Sequence, residues 1–300
     1  NITTASNNVA VGYNSLLNNT TGHSNTVVGT YALDANTTAN NNTAVGYVAL
    51  GDNTTGTANT AVGAGALSGN TTSSYSTAVG YNAATNTTGG STTAIGNQAL
   101  QTNTSGASNT AVGQSAMYSN TTGGTNVAVG DSALYNNTTA SNNTAVGRSA
   151  LQQGTTGANN TGLGTEALYS LTTGAENTAI GKGAADALTT GIGVVAIGVN
   201  SFGAATGSYN TAVGISALNN VTGNHNVGIG RNTAAAITSG SYNIAIGDYA
   251  MDSQTTANAN IAIGYETLTA NTTGISNTAV GFNALKSITT NSYSTAIGRG

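Results

Sequence analysis

Catalysis needs a nucleophile, a base and an orienting group within reach of one another. This chain offers few such groups. Its two histidines, His23 and His225, lie near opposite ends of the sequence, each just ahead of a β-branched stretch, and read as substitutions in turns. The nine acids are Asp34, Asp52, Asp131, Glu166, Glu176, Asp186, Asp248, Asp252 and Glu266. Asp248, Asp252 and Glu266 come closest to a carboxylate set that could hold calcium. Calcium-binding solenoids, however, carry an Asp in every copy, and this chain does not. Gly-x-Gly pairs such as Gly63/Gly65, Gly191/Gly193 and Gly228/Gly230 open no helix, so none reads as a phosphate cradle. Asn-Thr-Thr at 19–21, 53–55, 70–72, 120–122, 137–139 and 271–273 matches the glycosylation sequon and reads as a by-product of repetition. No catalytic, cofactor-binding or metal-ligating residue is assigned, no cofactor is expected, and the chain is not expected to be an enzyme.

What positions these residues is a repeat. A Val-Gly, Ile-Gly or Leu-Gly dipeptide recurs with its glycine at Gly12, Gly29, Gly46, Gly63, Gly80, Gly96, Gly113, Gly130, Gly147, Gly164, Gly181, Gly198, Gly214, Gly230, Gly247, Gly264, Gly281 and Gly298. The step is 17 residues in 14 of 17 intervals and 16 in the other three. A period this short means one small unit stacked many times. Residues 1–300 are therefore read as a single repetitive segment of a longer fibrous protein, with no internal boundary and with any targeting or anchoring parts elsewhere. Five basic residues, Arg148, Lys182, Arg231, Lys286 and Arg299, are scattered along 300, which excludes the clustered positive charge that nucleic-acid binding needs. The absence of cysteine excludes disulfides and thiolate metal sites. No apolar run reaches the roughly 18 residues of a membrane-spanning helix.

One copy, residues 42–58, reads N-T-A-V-G-Y-V-A-L-G-D-N-T-T-G-T-A. With the repeat glycine as position 0, Asn stands at −4 in 14 of 18 copies, Thr at −3 in 12 with Val or Ile in the rest, and Ala at −2 in 15. Position −1 is Val, Ile or Leu throughout, and +4 is Leu, Met or Phe in 14 of 17 copies. The stretch from −4 to 0 has the alternation of a strand. The Thr-Thr step reads as a second short strand, and glycines such as Gly22, Gly56, Gly123, Gly157 and Gly274 turn the chain after it. The fold class is all-β: a parallel β-roll or solenoid of about 18 coils, each strand lying on its own copy in the next coil. The −1 residue and the +4 Leu are predicted to form the core. The small face at −2 and 0 is predicted to pack against identical chains, so bulky residues at Ala111 or Ala145 should disturb assembly. The −4 Asn column is predicted to form an amide ladder.

Tyrosine also falls into columns. Tyr13, Tyr47, Tyr81 and Tyr265 share +1 with Phe282; Tyr118, Tyr135 and Tyr169 share +5; Tyr75, Tyr209, Tyr242 and Tyr293 share −5. Rows of exposed Tyr suit carbohydrate or protein contact, because the ring is apolar and the hydroxyl polar. Packing between adjacent coils is the plainer reading, and no binding residue is singled out.

The units N-N-V-A-V-G at 7–12, N-T-A-I-G at 177–181 and N-I-A-I-G at 243–247 and 260–264 resemble the N-S-V-A-I-G repeat of YadA-type heads of trimeric autotransporter adhesins. The resemblance runs through all the copies. It implies a left-handed β-roll assembled as a homotrimer; neither the hand nor the number three follows from the period. The copies here are longer than the usual head repeat by an N-T-T-G section, and −3 is mostly Thr. Their style is also similar to repeats in phage tail fibres. What the resemblance implies is an extracellular shaft or head segment at the bacterial cell surface that presents or contributes to adhesion, or a shaft in a virion tail fibre. Its partners would be itself and a host-surface glycan or protein, with no nucleic acid and no membrane contact within the segment. A direct glycan or cell-surface binding module is a separate reading. An ice-binding solenoid is the remotest, because the adjacent Thr-Thr pair is expected to face opposite ways.

Overall fold

Each copy of the repeat closes into one coil carrying a single three-residue strand. The computed structural model describes residues 5–300, a parallel β-solenoid of 18 strands with about 17 residues per turn and no helix among the described residues. The chain divides into two contact units. Unit 1, ending at Thr156, holds β1 (Val9–Val11) to β9 (Thr144–Val146). Unit 2, Gly157–Gly300, holds β10 (Thr161–Leu163) to β18 (Thr295–Ile297).

Within each unit the strands stack in parallel and in register with the repeat. Thr43, Ala44 and Val45 lie opposite Thr60, Ala61 and Val62 in unit 1; Ile244, Ala245 and Ile246 lie opposite Ile261, Ala262 and Ile263 in unit 2. The 16-residue steps keep this register, as in the pairing of Thr77 with Thr93. The missing residue comes out of the corner after the recurrent Thr. Thr88 still donates its N–H to the Thr104 carbonyl at 2.8 Å, and Gly89 turns the chain one residue early.

The expected second strand does not form. In copy after copy the Thr-Thr step is a bend in which two N–H groups converge on one carbonyl. Thr20 and Thr21 both donate to the Thr37 oxygen, at 2.9 and 3.2 Å. A strand ladder would need a separate acceptor for each donor.

The strand faces are inverted relative to the predicted core. Away from the end coils the −2 alanines, including Ala111 and Ala145, are buried inside the coil, together with the +3 alanines and the +4 leucines. The −1 residues point outward instead: Ile95 is 40 % and Leu163 45 % exposed. The reason is space. At Gly228, which occupies the −2 column, a Cβ would already lie 2.7 Å from Leu218 Cγ of the preceding coil. Opposite the strand the interior already holds the large +4 side chain, and a methyl group fills the −2 column in most coils. The Ala row therefore cannot contact another chain, and a bulky residue at Ala111 or Ala145 acts on the fold itself through overpacking.

Two amide columns complete the interior. At −4, Asn42 donates Nδ2 to the Gly56 carbonyl (2.9 Å), while its Oδ1 accepts the Asn59 backbone N–H (2.9 Å). Each such Asn ties its own coil shut and pins the next. The ladder predicted for this column exists, mostly as amide-to-backbone bonds. A second ladder runs at +7 in unit 1: Asn120 Nδ2 donates to Asn103 Oδ1, and Asn137 Nδ2 to Asn120 Oδ1, both at 2.7 Å. In unit 2 the same column carries Leu171, Leu188, Val221 and Ile237, all buried. The column is interior in both units, filled mostly by amides in unit 1 and by these aliphatics together with Gln254 and Asn271 in unit 2.

The turns are unusual. Non-glycine residues at +2, +4 and −5 adopt left-handed backbone in nearly every coil, from Leu33 at φ 47° to Tyr75 at φ 63°. Single residues of this kind are sparse in most folds; here they close each coil. The repeat glycine goes further, with φ between 126° and 142°. At Gly130 a Cβ would also sit 2.5 Å from the Gly147 carbonyl oxygen. Gly130→Ala is therefore expected to destabilise the fold by at least the roughly 1–3 kcal/mol of such backbone strain, while Asp131→Ala beside it changes stability by less than about 0.5 kcal/mol. Thermal unfolding followed by circular dichroism checks both.

Candidate functional surface

The outward side of the sheet is where the repeat meets its surroundings. Positions −3 and −1 place Thr, Val, Ile and Leu on the outside of every strand. Val28, Val79 and Val129 in unit 1, and Ile180, Ile197, Ile229 and Ile263 in unit 2, are each more than a third exposed. In each unit this makes a ribbon of β-branched side chains on a surface otherwise dominated by amides and hydroxyls. The strand ladder fixes its spacing at about 4.8 Å per coil.

The Thr-Thr bends form a second outward feature. Both threonines lie at the surface, as Thr20, Thr21, Thr71 and Thr72 illustrate, so the expectation that they face opposite ways is corrected. A bend, unlike a strand, does not alternate. The first Thr of most pairs is engaged, however: Thr54 Oγ1 donates to the Thr71 carbonyl at 3.1 Å, and Thr121 Oγ1 to Thr138 at 2.9 Å.

Most tyrosine rows pack ring on ring between coils. Tyr118 and Tyr135 stack with centroids 5.2 Å apart and planes 5° from parallel. His225 is sandwiched between Tyr209 (5.2 Å) and Tyr242 (5.1 Å). Tyr265 stacks on Phe282 at 5.4 Å, and Arg299 lies over the Phe282 ring. Tyr47 and Tyr81 make no ring contact among the described residues. His23 is exposed, with Nδ1 3.3 Å from Ser24 Oγ and its backbone N–H donating to Asn40 Oδ1.

Two of the three acids considered for calcium, Asp248 and Glu266, face cations of the chain instead. Asp248 pairs with Arg231 (3.5 Å), whose guanidinium also lies over Tyr249, and Glu266 pairs with Lys286. Among the described residues no three His, Asp or Glu side chains gather as a metal-binding group. Of the sequon asparagines, Asn19, Asn53, Asn70, Asn120, Asn137 and Asn271 are buried in the +7 column, out of reach of a modifying enzyme in the folded protein, whereas Asn86 of Asn86-Thr87-Thr88 is exposed. No helix among the described residues is long and apolar enough to cross a membrane. No protein-family model matches the chain, and no curated protein aligns with it.

Burial shifts several carboxyls. Asp34, Asp186 and Asp252 are all raised above the ordinary Asp value of 3.8, chiefly by desolvation. The charge of Asp52 adds to the rise at Asp34, and that of Glu166 to the rise at Asp186. Glu266 is lowered by its bond to Lys286, and the Glu266 carboxylate raises the Tyr265 hydroxyl. A carboxyl raised on folding binds its proton more tightly in the folded state, so its contribution is largest below the unfolded value and is lost as pH rises through the folded one. Three raised groups act against one lowered, exposed one. The melting temperature is therefore expected to hold or rise when the pH falls from 7 to below 3.8, and Asp186→Asn should reduce that gain. A steep fall in melting temperature across this range would contradict the assignment.

Proposed function

We propose that this chain is a structural segment of an extracellular homotrimeric fibre, which presents or contributes to adhesion. The observation that carries this reading is the outward β-branched ribbon. A surface of apolar residues extended this regularly marks a contact surface. Because the ribbon recurs with the coil, its partner must present apolar groups at the same period, and another copy of the chain does so at every coil. The count of three, the extracellular setting at a bacterial surface and the left-handed coil come from the resemblance to YadA-type heads. A virion tail-fibre shaft would use the same mechanics. The protein is not an enzyme on this reading: His225 is engaged in stacking and Asp248 and Glu266 in ion pairs, and no three His, Asp or Glu side chains gather among the described residues. Its work is mechanical, through in-register backbone bonding and interlocked side chains.

Native light scattering tests assembly. The expected mass is three times the 29.1 kDa chain. Val112→Asp together with Ile180→Asp, both on the outward row, should lower that mass while leaving the circular dichroism spectrum unchanged. A wild-type monomer would remove the fibre reading.

A further inference from the structure

We propose that Tyr13, Tyr47 and Tyr81 form a docking strip for one chain of an extended β-1,4-linked polysaccharide lying along the stacking direction of unit 1. The proposal goes beyond the fibre reading and does not depend on the number of copies in the assembly.

The three tyrosines occupy the +1 column in alternate coils. They are 67 %, 59 % and 56 % exposed. The coils between them carry Thr30 and Ala64 in the same column, so small residues separate the rings. Neither Tyr47 nor Tyr81 spends a ring face on a neighbouring ring. That sets them apart from the stacked pairs Tyr118–Tyr135 and Tyr265–Phe282. Tyr13 is braced from one side by Tyr31, edge to face at 5.6 Å and 89°.

The backbone under these rings is fixed coil by coil. The +1 carbonyl of each coil accepts the +2 N–H of the next: Tyr31 to Tyr13 (3.0 Å), Val48 to Thr30 (3.0 Å), Gly65 to Tyr47 (2.9 Å), Asn82 to Ala64 (2.9 Å) and Gln98 to Tyr81 (2.8 Å). Two coil steps of about 4.8 Å each place successive tyrosines roughly 10 Å apart. Because the spacing belongs to the sheet, it needs no ordering when a ligand arrives.

That spacing selects a ligand class. In an extended β-1,4-linked chain the equatorial linkages give a flat ribbon in which each sugar is turned over relative to the last. Every second unit therefore presents the same C–H face, at a repeat close to the separation of these tyrosines. An α-linked chain coils and loses that match. A tyrosine ring offers an apolar face to the sugar and a hydroxyl to its edge. Asn14 and Asn82, next in sequence to the first and third rings and partly exposed, bring amides to the sugar hydroxyls. At the coil after Tyr47, Ala64 and Gly65 leave the strip open. Each contact is weak, and three along one polymer act together.

The test mixes the full chain with microcrystalline cellulose, crystalline chitin or starch and measures the protein that pellets. The chain is expected to pellet with one or both β-linked polymers and not with starch. The variant Tyr13→Ala/Tyr47→Ala/Tyr81→Ala should lose about tenfold or more in affinity. Tyr118→Ala/Tyr135→Ala should stay within about twofold, and Tyr47→Phe should bind nearly as well as the parent. Unchanged circular dichroism melting establishes that the variants are folded. Failure to pellet with either β-linked polymer, equal pelleting with starch, or undiminished binding by the triple variant would overturn the proposal. A trimer that ignores these polysaccharides sinks the strip and leaves the fibre; a monomer that binds them does the reverse.

Discussion

The structure depends on how closely one repeat glycine approaches the next. A Cβ at Gly46 would lie 2.5 Å from the carbonyl oxygen of Gly63, inside van der Waals contact. Only a residue without a side chain allows this approach, and only glycine readily holds the φ of 140° seen there. From that contact the rest follows. The next coil lies directly on the last, so the strand carbonyls find donors in register. Gly46 donates to the Val28 carbonyl at 2.8 Å, and Gly63 to Val45 at the same distance. The coil must then turn within a few residues. The left-handed residues at +2 and +4 do this, and burial of the +4 Leu among the Ala rows offsets their strain.

The interior is consequently narrow, and its narrowness decides the chemistry of the surface. Ala, Leu and Asn fill it. The Val, Ile and Thr of strand positions −3 and −1, which would form the core of a wider sheet protein, turn outward. Buried polarity is satisfied by repetition. Asn243 donates Nδ2 to the Ala257 carbonyl while its Oδ1 accepts the Asn260 N–H, and its neighbours above and below do likewise. A lone buried amide would leave groups unpaired, which is expensive; a column of them pairs most of its groups, with Asn36 Oδ1 and Asn137 Oδ1 among the few left over. Thr87, which interrupts the +7 column in a shortened coil, has an unpartnered Oγ1.

The period, the parallel stacking and the −4 ladder were legible in the sequence, because an 18-fold repeat fixes which residues meet. The direction of the strand faces was not, because both faces are apolar and the larger residue was assigned to the core. Two signals pointed the other way. The −2 column admits almost nothing beyond Ala and Gly, as a cramped interior demands, whereas −3 exchanges Thr for Val or Ile freely, as in Thr110 and Val127. The +7 ladder was hidden inside the N-T-T-G corner. Its exchange of Asn137 for Leu171 and Leu188 in equivalent positions marks an interior column, since a solvent-facing amide would not be replaced by bare aliphatics. The open spacing of Tyr47 and Tyr81 needed the ring geometry of the other tyrosines for contrast.

The Ala row is enclosed by the coil, and on the proposed reading the adjacent Val row is covered by other copies of the chain. Thiol labelling tests this claim most directly, because the chain has no cysteine of its own. Single variants Ala111→Cys and Val112→Cys would be exposed to a soluble maleimide in the native assembly and again after dilution to the dissociated chain. Cys at 111 should stay unreactive in both conditions, and Cys at 112 should react only after dissociation. Rapid labelling at 111 in the folded protein, or equal labelling at 112 before and after dilution, would contradict the claim.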